Sequence, residues 1–199
     1  VSTNRLEAFS DGVLAVAATL LVLGVTVPAV RHPDLAYQLG IRWQQYVAYA
    51  TSFSTIGIIW INHHAMIGRL READHTILIL NLLLLMTIGL IPFATSLVAT
   101  YLAAGHDQSL AASIYSGAFL VMSLAFSALH RQILLVKPEL LAIAFTEAQR
   151  RHIFRRAITG ILPYVIATGL AWVSPYATLA ICAAIAAFYA SPLASSVEV

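Results

Sequence analysis

The sequence predicts an all-α, polytopic membrane protein with six transmembrane helices per subunit, and three observations predict it. Hydrophobic residues make up 60% of the 199-residue chain, and mean hydropathy is +0.83. Only 10% of residues are Asp, Glu, Lys or Arg, where soluble domains carry about 25%; a soluble chain this apolar would expose large patches. The apolar residues also gather into segments close to the roughly 20 residues that cross a bilayer.

The elements follow in order along a single transmembrane domain, residues 1–199. The first span covers about 8–27 and is stopped by Pro28. The second covers about 44–67. The third, about 76–102, contains Pro92 as a kink, because proline removes a helix hydrogen bond. The fourth, about 110–134, is dotted with Ser113, Ser116, Ser123 and Ser127, which suits packing against other helices. The fifth covers about 156–173 with Pro163 near its start. The sixth, about 176–190, is short, and Ser174-Pro175 leaves a tight turn before it; fusion of the last two into one kinked helix is the alternative. Between the fourth and fifth, Leu140 to Arg151 reads as a short amphipathic surface helix or an extension of the fourth span.

Charge placement orients these spans. With the N-terminus inside, Arg5, Arg69, Arg71, Arg131, Lys137, Arg150, Arg151, Arg155 and Arg156 fall on the cytoplasmic side. Only Arg31 and Arg42 fall outside, as the positive-inside rule expects. Both termini are then cytoplasmic. Arg5 and the interrupted approach to the first apolar core do not make a cleaved signal peptide.

Several function classes are excluded. No phosphate-binding glycine loop is present, so no nucleotide is expected. No basic cluster interleaved with aromatics supports nucleic-acid binding. Cys182 is the only cysteine and lies among small apolar residues, so no intrachain disulfide or cysteine metal cluster forms. No nucleophile–base pair is visible, and the chain is not expected to be an enzyme or to hold a cofactor. The halves show no inverted repeat, which weakens a carrier reading.

The polar residues that remain are few and placed. Phe9-Ser10-Asp11-Gly12 stands near the cytoplasmic end of the first span. Asp11 near a helix N-terminus is stabilised by the dipole, and Ser10 would cap the helix if it began there. The second span carries Trp60, Asn62, His63 and His64 at the matching depth. Asp11 is placed to accept hydrogen bonds from that set, the Trp60 indole included; which histidine points inward is not readable, since helix neighbours differ by about 100°. A haem or metal role for His63 or His64 is disfavoured, because no other histidine sits mid-span. Val16, Leu20, Leu23 and Val27 share one face of the first span, with Thr19 between them. That seam is either ordinary bundle packing or, if copies meet around an axis, a stack of apolar rings able to restrict ions.

Arg5-x-x-x-Phe9-Ser10-Asp11, Ala15-x-x-x-Thr19-Leu20-x-x-Leu23 and Trp60-Ile61-Asn62-His63-His64 resemble the motifs of the transmembrane protein 175 family of cation channels. The resemblance implies a potassium-channel fold of unconventional type, without a carbonyl filter loop, in a single-repeat bacterial form. It implies a homotetramer in the bacterial plasma membrane, in contact with membrane lipid, with potassium as the permeant ion near Val16, Thr19 and Leu20. It implies that Val16 forms the narrowest ring, that Leu20 and Leu23 form further rings, and that Val27 lies at the outer end of the same pore face. Arg5, Phe9, Ser10 and Asp11 then act as scaffold, tying the first helix to the second through His63 or His64 and Asn62, with Trp60 alongside. Asp11 stands five residues before Val16, about 140° round the helix, so it is not expected to touch the ion. The alternatives are a proton-coupled carrier, with Asp11 and His63 or His64 titrating, and a structural module without transport.

Overall fold

The computed structural model describes residues 3–28 and 34–190. Arg31, one of the two outer cations of the charge count, and the residues after Ala190 lie outside that range. Among the described residues the chain is mostly helical and has no strand. Its helices are α1 (Thr3–Leu20), α2 (Leu35–Gly40), α3 (Trp43–Ile67), α4 (His75–Gly89), α5 (Ile91–Ala104), α6 (Gln108–Arg131), α7 (Glu147–Thr159), α8 (Ile161–Leu170) and α9 (Pro175–Ala190).

The bundle is organised around α6. Tyr115, Phe119, Met122 and Leu129 of this helix are buried to within 1%, and α6 packs against α4, α5, α7, α8 and α9. The rings of Tyr115 and Phe119 meet edge to face at 4.8 Å, and Phe119 meets Tyr164 of α8 at 5.5 Å, within the range where aromatic pairs add to burial. A hydroxyl cluster lies beside them: Ser52 Oγ stands 2.8 Å from Thr95 Oγ1 and 3.1 Å from Tyr115 Oη. These groups satisfy one another, which makes their burial inexpensive.

The proline positions explain the breaks. Pro92 lies in the first turn of α5, where its missing N–H costs least. α4 therefore stops at Gly89 and α5 starts at Ile91. Leu90 keeps right-handed helical angles, and its N–H bonds Thr87. α5 ends at Gly105, whose φ of 82° is the left-handed C-cap conformation that glycine adopts without strain. Pro175 opens α9 after a turn, with Ser174 Oγ accepting from Ala177 N–H at 3.3 Å. α8 and α9 are separate helices packed on one another, and Thr178 Oγ1 donates to the Ala167 carbonyl across their contact; they are not one fused helix.

The segment between α6 and α7 differs from the amphipathic helix expected over Leu140–Arg151. α6 runs into a wider π turn, Gln132–Val136, and a short 3-10 turn at Pro138–Leu140. The chain then extends and pairs with the α3–α4 link: Arg71 N–H donates to Leu140 O, and Ala142 N–H to Arg69 O, both at 2.8 Å. Helix resumes only at Glu147, because Thr146 and Gln149 form a reciprocal capping box there.

α1 lies at the margin. Leu6, Ser10, Leu14, Ala17 and Leu21 form its buried stripe, facing α3 and α4. Val13 and Ala18 flank the stripe, half-buried against the core, and the side carrying Phe9, Val16 and Leu20 is uncovered in the subunit.

Candidate functional site

α1 begins at Thr3, not at Ser10. Ser10 is therefore no cap but an interior residue, fully buried, whose hydroxyl donates to the Leu6 carbonyl one turn back at 2.8 Å. Its oxygen accepts from Asn81 Nδ2 of α4 at 3.0 Å. Asn81 Oδ1 in turn stands 2.7 Å from His63 Nε2 of α3. The donor order assigns the tautomer: Asn81 gives its amide protons to Ser10, so its oxygen accepts, and His63 carries its proton on Nε2. Ser10, Asn81 and His63 are each 0% exposed. This chain of hydrogen bonds joins α1, α4 and α3 through the interior.

A second set closes the same end of α1 from the outside. Trp60 Nε1 donates to Asp11 Oδ1 at 2.9 Å. Glu7 Oε1 stands 2.6 Å from His64 Nδ1. The ligating atoms of Glu7, Asp11 and His64 lie within 4.8 Å of one another, but each already has a hydrogen-bonding partner in the set, so the cluster closes on itself as a clamp between two helices. Trp60 is 45% exposed and its ring lies beside His64 at 6.3 Å.

This arrangement corrects part of the expected network. Neither histidine bonds Asp11: His63 is turned inward to Asn81, and His64 pairs with Glu7. Asn62 donates to its own helix at the Ile58 carbonyl, 2.9 Å away, and ties nothing to α1. The reason is angular: residues 62, 63 and 64 leave α3 in directions about 100° apart, and only one faces the interior. Arg5 and Phe9 are exposed and lie outside the bonded set. Sequence reasoning missed Glu7 and Asn81. Asn81 had a signal, since it is the only amide in the apolar run of α4, and a buried amide needs partners.

The uncovered side of α1 is apolar. Val16 is 56% exposed, Leu20 44% and Leu23 74%. Thr19 is exposed too, and its hydroxyl donates to the Val16 carbonyl at 2.9 Å. A shallow open groove along this side is lined by Phe9, Gly12, Val16 and Leu20 with Gly89 of the α4–α5 break. The seam does not continue as α-helix to Val27. α1 ends at Leu20, a 3-10 turn covers Leu21–Gly24, and Val25 to Val27 are non-helical. Pro28 disfavours helix at the residue before it, and at Gly24 the turn runs beside α5, where an added methyl would stand in ordinary contact 3.4 Å from Ser96 Cβ. Val27 is still exposed, but off the helical stripe.

The C-terminal end of this segment is held by α3 and the residue before it. Arg42 Nη1 donates to Thr26 O at 3.1 Å and to Thr26 Oγ1 at 2.9 Å. The Gln45 amide both donates to Thr26 Oγ1, at 3.2 Å, and accepts from Thr26 N–H, at 3.2 Å. α1 is thus fastened to α3 near both ends.

Known proteins carry the same chain pattern. The family model described as endosomal/lysosomal potassium channel TMEM175 matches residues 5–92. A protein of Streptomyces collinus named as a potassium channel is 39% identical over 192 residues, 94% of this chain and 91% of that protein. The mouse protein named as endosomal/lysosomal proton channel TMEM175 is 36% identical over 117 residues, 54% of this chain and 23% of that protein. The crystal structure of a lysosomal potassium-selective channel TMEM175 homologue from Chamaesiphon minutus superposes with a TM-score of 0.83 at 34% identity, covering 94% of this chain and 96% of that one.

Proposed function

The chain belongs to the TMEM175 family of ion channels, and on that premise we propose that it is a passive potassium channel whose pore is lined by α1 from several subunits. It is a multi-pass membrane protein of a channel family, not an enzyme. The observation that carries the pore assignment is the uncovered apolar face of α1, Val16, Leu20 and Leu23, on a helix otherwise fixed by polar contacts. Lipid would cover such a face equally well, and other helices expose apolar side chains too, Leu110, Val121 and Leu124 among them; the α1 face is chosen because its helix lies in the segment, residues 5–92, that the channel-family model matches. One α1 cannot enclose a path, so a pore requires copies of the chain around an axis, and a homotetramer is the assembly we assign. Around that axis Val16, Leu20 and Leu23 form stacked apolar rings that resist wetting. Thr19 supplies the polar edge beside the narrowest ring. The cytoplasmic clamp of Glu7, Asp11, Trp60 and His64, with the buried Ser10–Asn81–His63 chain, positions the helix and does not touch the ion. Six spans cross a bacterial plasma membrane with both termini inside, in keeping with the basic residues of the α3–α4 and α6–α7 links.

The test is potassium flux into liposomes holding the purified protein, followed by reversal potentials under potassium–sodium gradients. Non-saturating flux with a reversal potential shifted toward that of potassium is expected. Absence of flux from a verified oligomer counts against the pore. A second reading, proton-coupled transport, has one observation in its favour: His63 is buried, and among the described residues no group bonds its Nδ1. Flux that saturates and follows an imposed pH gradient would select it.

A further inference from the structure

The contacts at Thr26 concern a residue that the motifs leave untouched. Five polar contacts between 2.9 and 3.3 Å converge on this one threonine, two from the Arg42 guanidinium and three with the Gln45 amide. They engage its N–H, its carbonyl and its hydroxyl. Thr26 follows the 3-10 turn and precedes Val27, where no helix ladder restrains the chain. Arg42 therefore sets where the outer end of the α1 segment stands.

The same contacts leave Arg42 without a carboxylate partner. Both of its contacts are to neutral oxygens of Thr26, and among the described residues it makes no ion pair. Asp34, the nearest acid in sequence, caps α2, accepting from Tyr37 N–H at 3.1 Å, and is not paired with Arg42. The intervening stretch 29–33 adds Arg31 and His32 and no acid. A guanidinium is charged at every working pH. In an oligomer lined by α1, one such charge per subunit rings the outer mouth, and at low salt, where the Debye length is about 30 Å near 0.01 M, it is weakly screened.

We infer that Arg42 is a positioning residue that also sets cation entry from outside: it pins Thr26, and its charge lowers the local potassium concentration at the outer mouth. This inference rests on the pore reading above. It makes the channel an electrostatic rectifier, with inward current restrained at low external salt and restored as salt screens the ring.

The experiment is inward potassium current through the full-length oligomer in planar bilayers, with only the outer KCl varied. Arg42→Gln keeps an amide donor for Thr26 and removes the charge. Its inward current is expected to exceed wild type by about two- to three-fold near 0.01 M, where screening is weak, and to converge on wild type near 1 M. Arg42→Lys keeps the charge and should track wild type at both concentrations. Gln45→Glu places a carboxylate on the same threonine without deleting the arginine, and should raise low-salt inward current in the same direction. A purely structural role would change current equally at all salt concentrations. A ratio to wild type that stays flat with salt for both Arg42→Gln and Gln45→Glu overturns the inference while the channel itself conducts. A wild-type oligomer that passes no potassium overturns the pore reading, and this inference with it.

Discussion

α6 and α1 are nearly equal in apolarity and opposite in surroundings. The most apolar stretch of the segment Gln108–Val136 has a hydropathy of 1.7 and is 50% buried inside the subunit, whereas that of Thr3–Gly24 has a hydropathy of 1.8 and is 28% buried. Hydropathy therefore does not separate the hub of the subunit from the helix at its margin. What separates them is which polar groups each carries and how these are met. α6 is covered over most of its circumference, leaving Leu110, Ile114, Val121 and Leu124 exposed along one side, and its Ser116 hydroxyl bonds its own helix at the Ala112 carbonyl. α1 is covered along one stripe, and its polar groups reach outward to α3 and α4. The first pattern is that of a core element. The second is that of an element placed for use.

That contrast can be broken at several points. The largest effect on stability is expected in the hub. Phe119→Ala should cost about 3–5 kcal/mol, as for other buried aromatics, read as loss of the folded oligomer in thermal unfolding followed by size exclusion in detergent. A cost under about 1 kcal/mol would remove α6 from the centre of the account. Next comes the buried chain of hydrogen bonds. Asn81→Leu leaves His63 Nε2 without its acceptor and should cost about 1–3 kcal/mol, measured in the same unfolding assay; retention of wild-type stability would show that the network is dispensable. The exposed half of the clamp is weaker. His64 is 61% exposed at its side chain, so Glu7→Gln should cost under about 1 kcal/mol, and less in high salt. The smallest change in stability is expected at Val16, where asparagine should alter it by about 0.5 kcal/mol or less because the site is uncovered in the subunit. The same Val16→Asn substitution should raise potassium flux several-fold, because a polar ring wets more readily. Unchanged flux in an intact oligomer would return the seam to ordinary packing.

The fold was legible where one residue type decides the matter. Pro92 and Pro175 mark places where helices restart, and the apolar runs supply the lengths, whereas the first helix stops short of Pro28, α1 ending at Leu20 and its 3-10 turn at Gly24. The motif face of α1 and its partner segment on α3 were legible from Asp11 and Trp60, since a carboxylate in an apolar span requires a donor at its depth. The rest depended on geometry that one dimension does not carry. Whether His63 or His64 turns inward is a matter of helix phase. The partner of Ser10 sits 71 residues away, on a helix whose role only tertiary packing reveals. The stretch before α7 carried an amphipathic pattern, yet the Thr146–Gln149 capping box and the pairing of Leu70 with Leu141 set the boundary instead. The seam failed at Val27 because periodicity assumes that the helix continues.

The 3-10 turn at Leu21–Gly24 alters more than the end point of the segment. An α-helix advances about 100° and 1.5 Å per residue, and a 3-10 helix about 120° and 2.0 Å. Four residues in the tighter coil therefore span about 8 Å where an α-turn would span about 6 Å. Residues three apart also eclipse one another in the tighter coil instead of standing about 60° out of phase. Leu20, at the junction, and Leu23 are thereby brought toward a single vertical line. The chain coarsens its thread just before its anchor at Thr26, and two side chains that a uniform screw would fan apart become one continuous column.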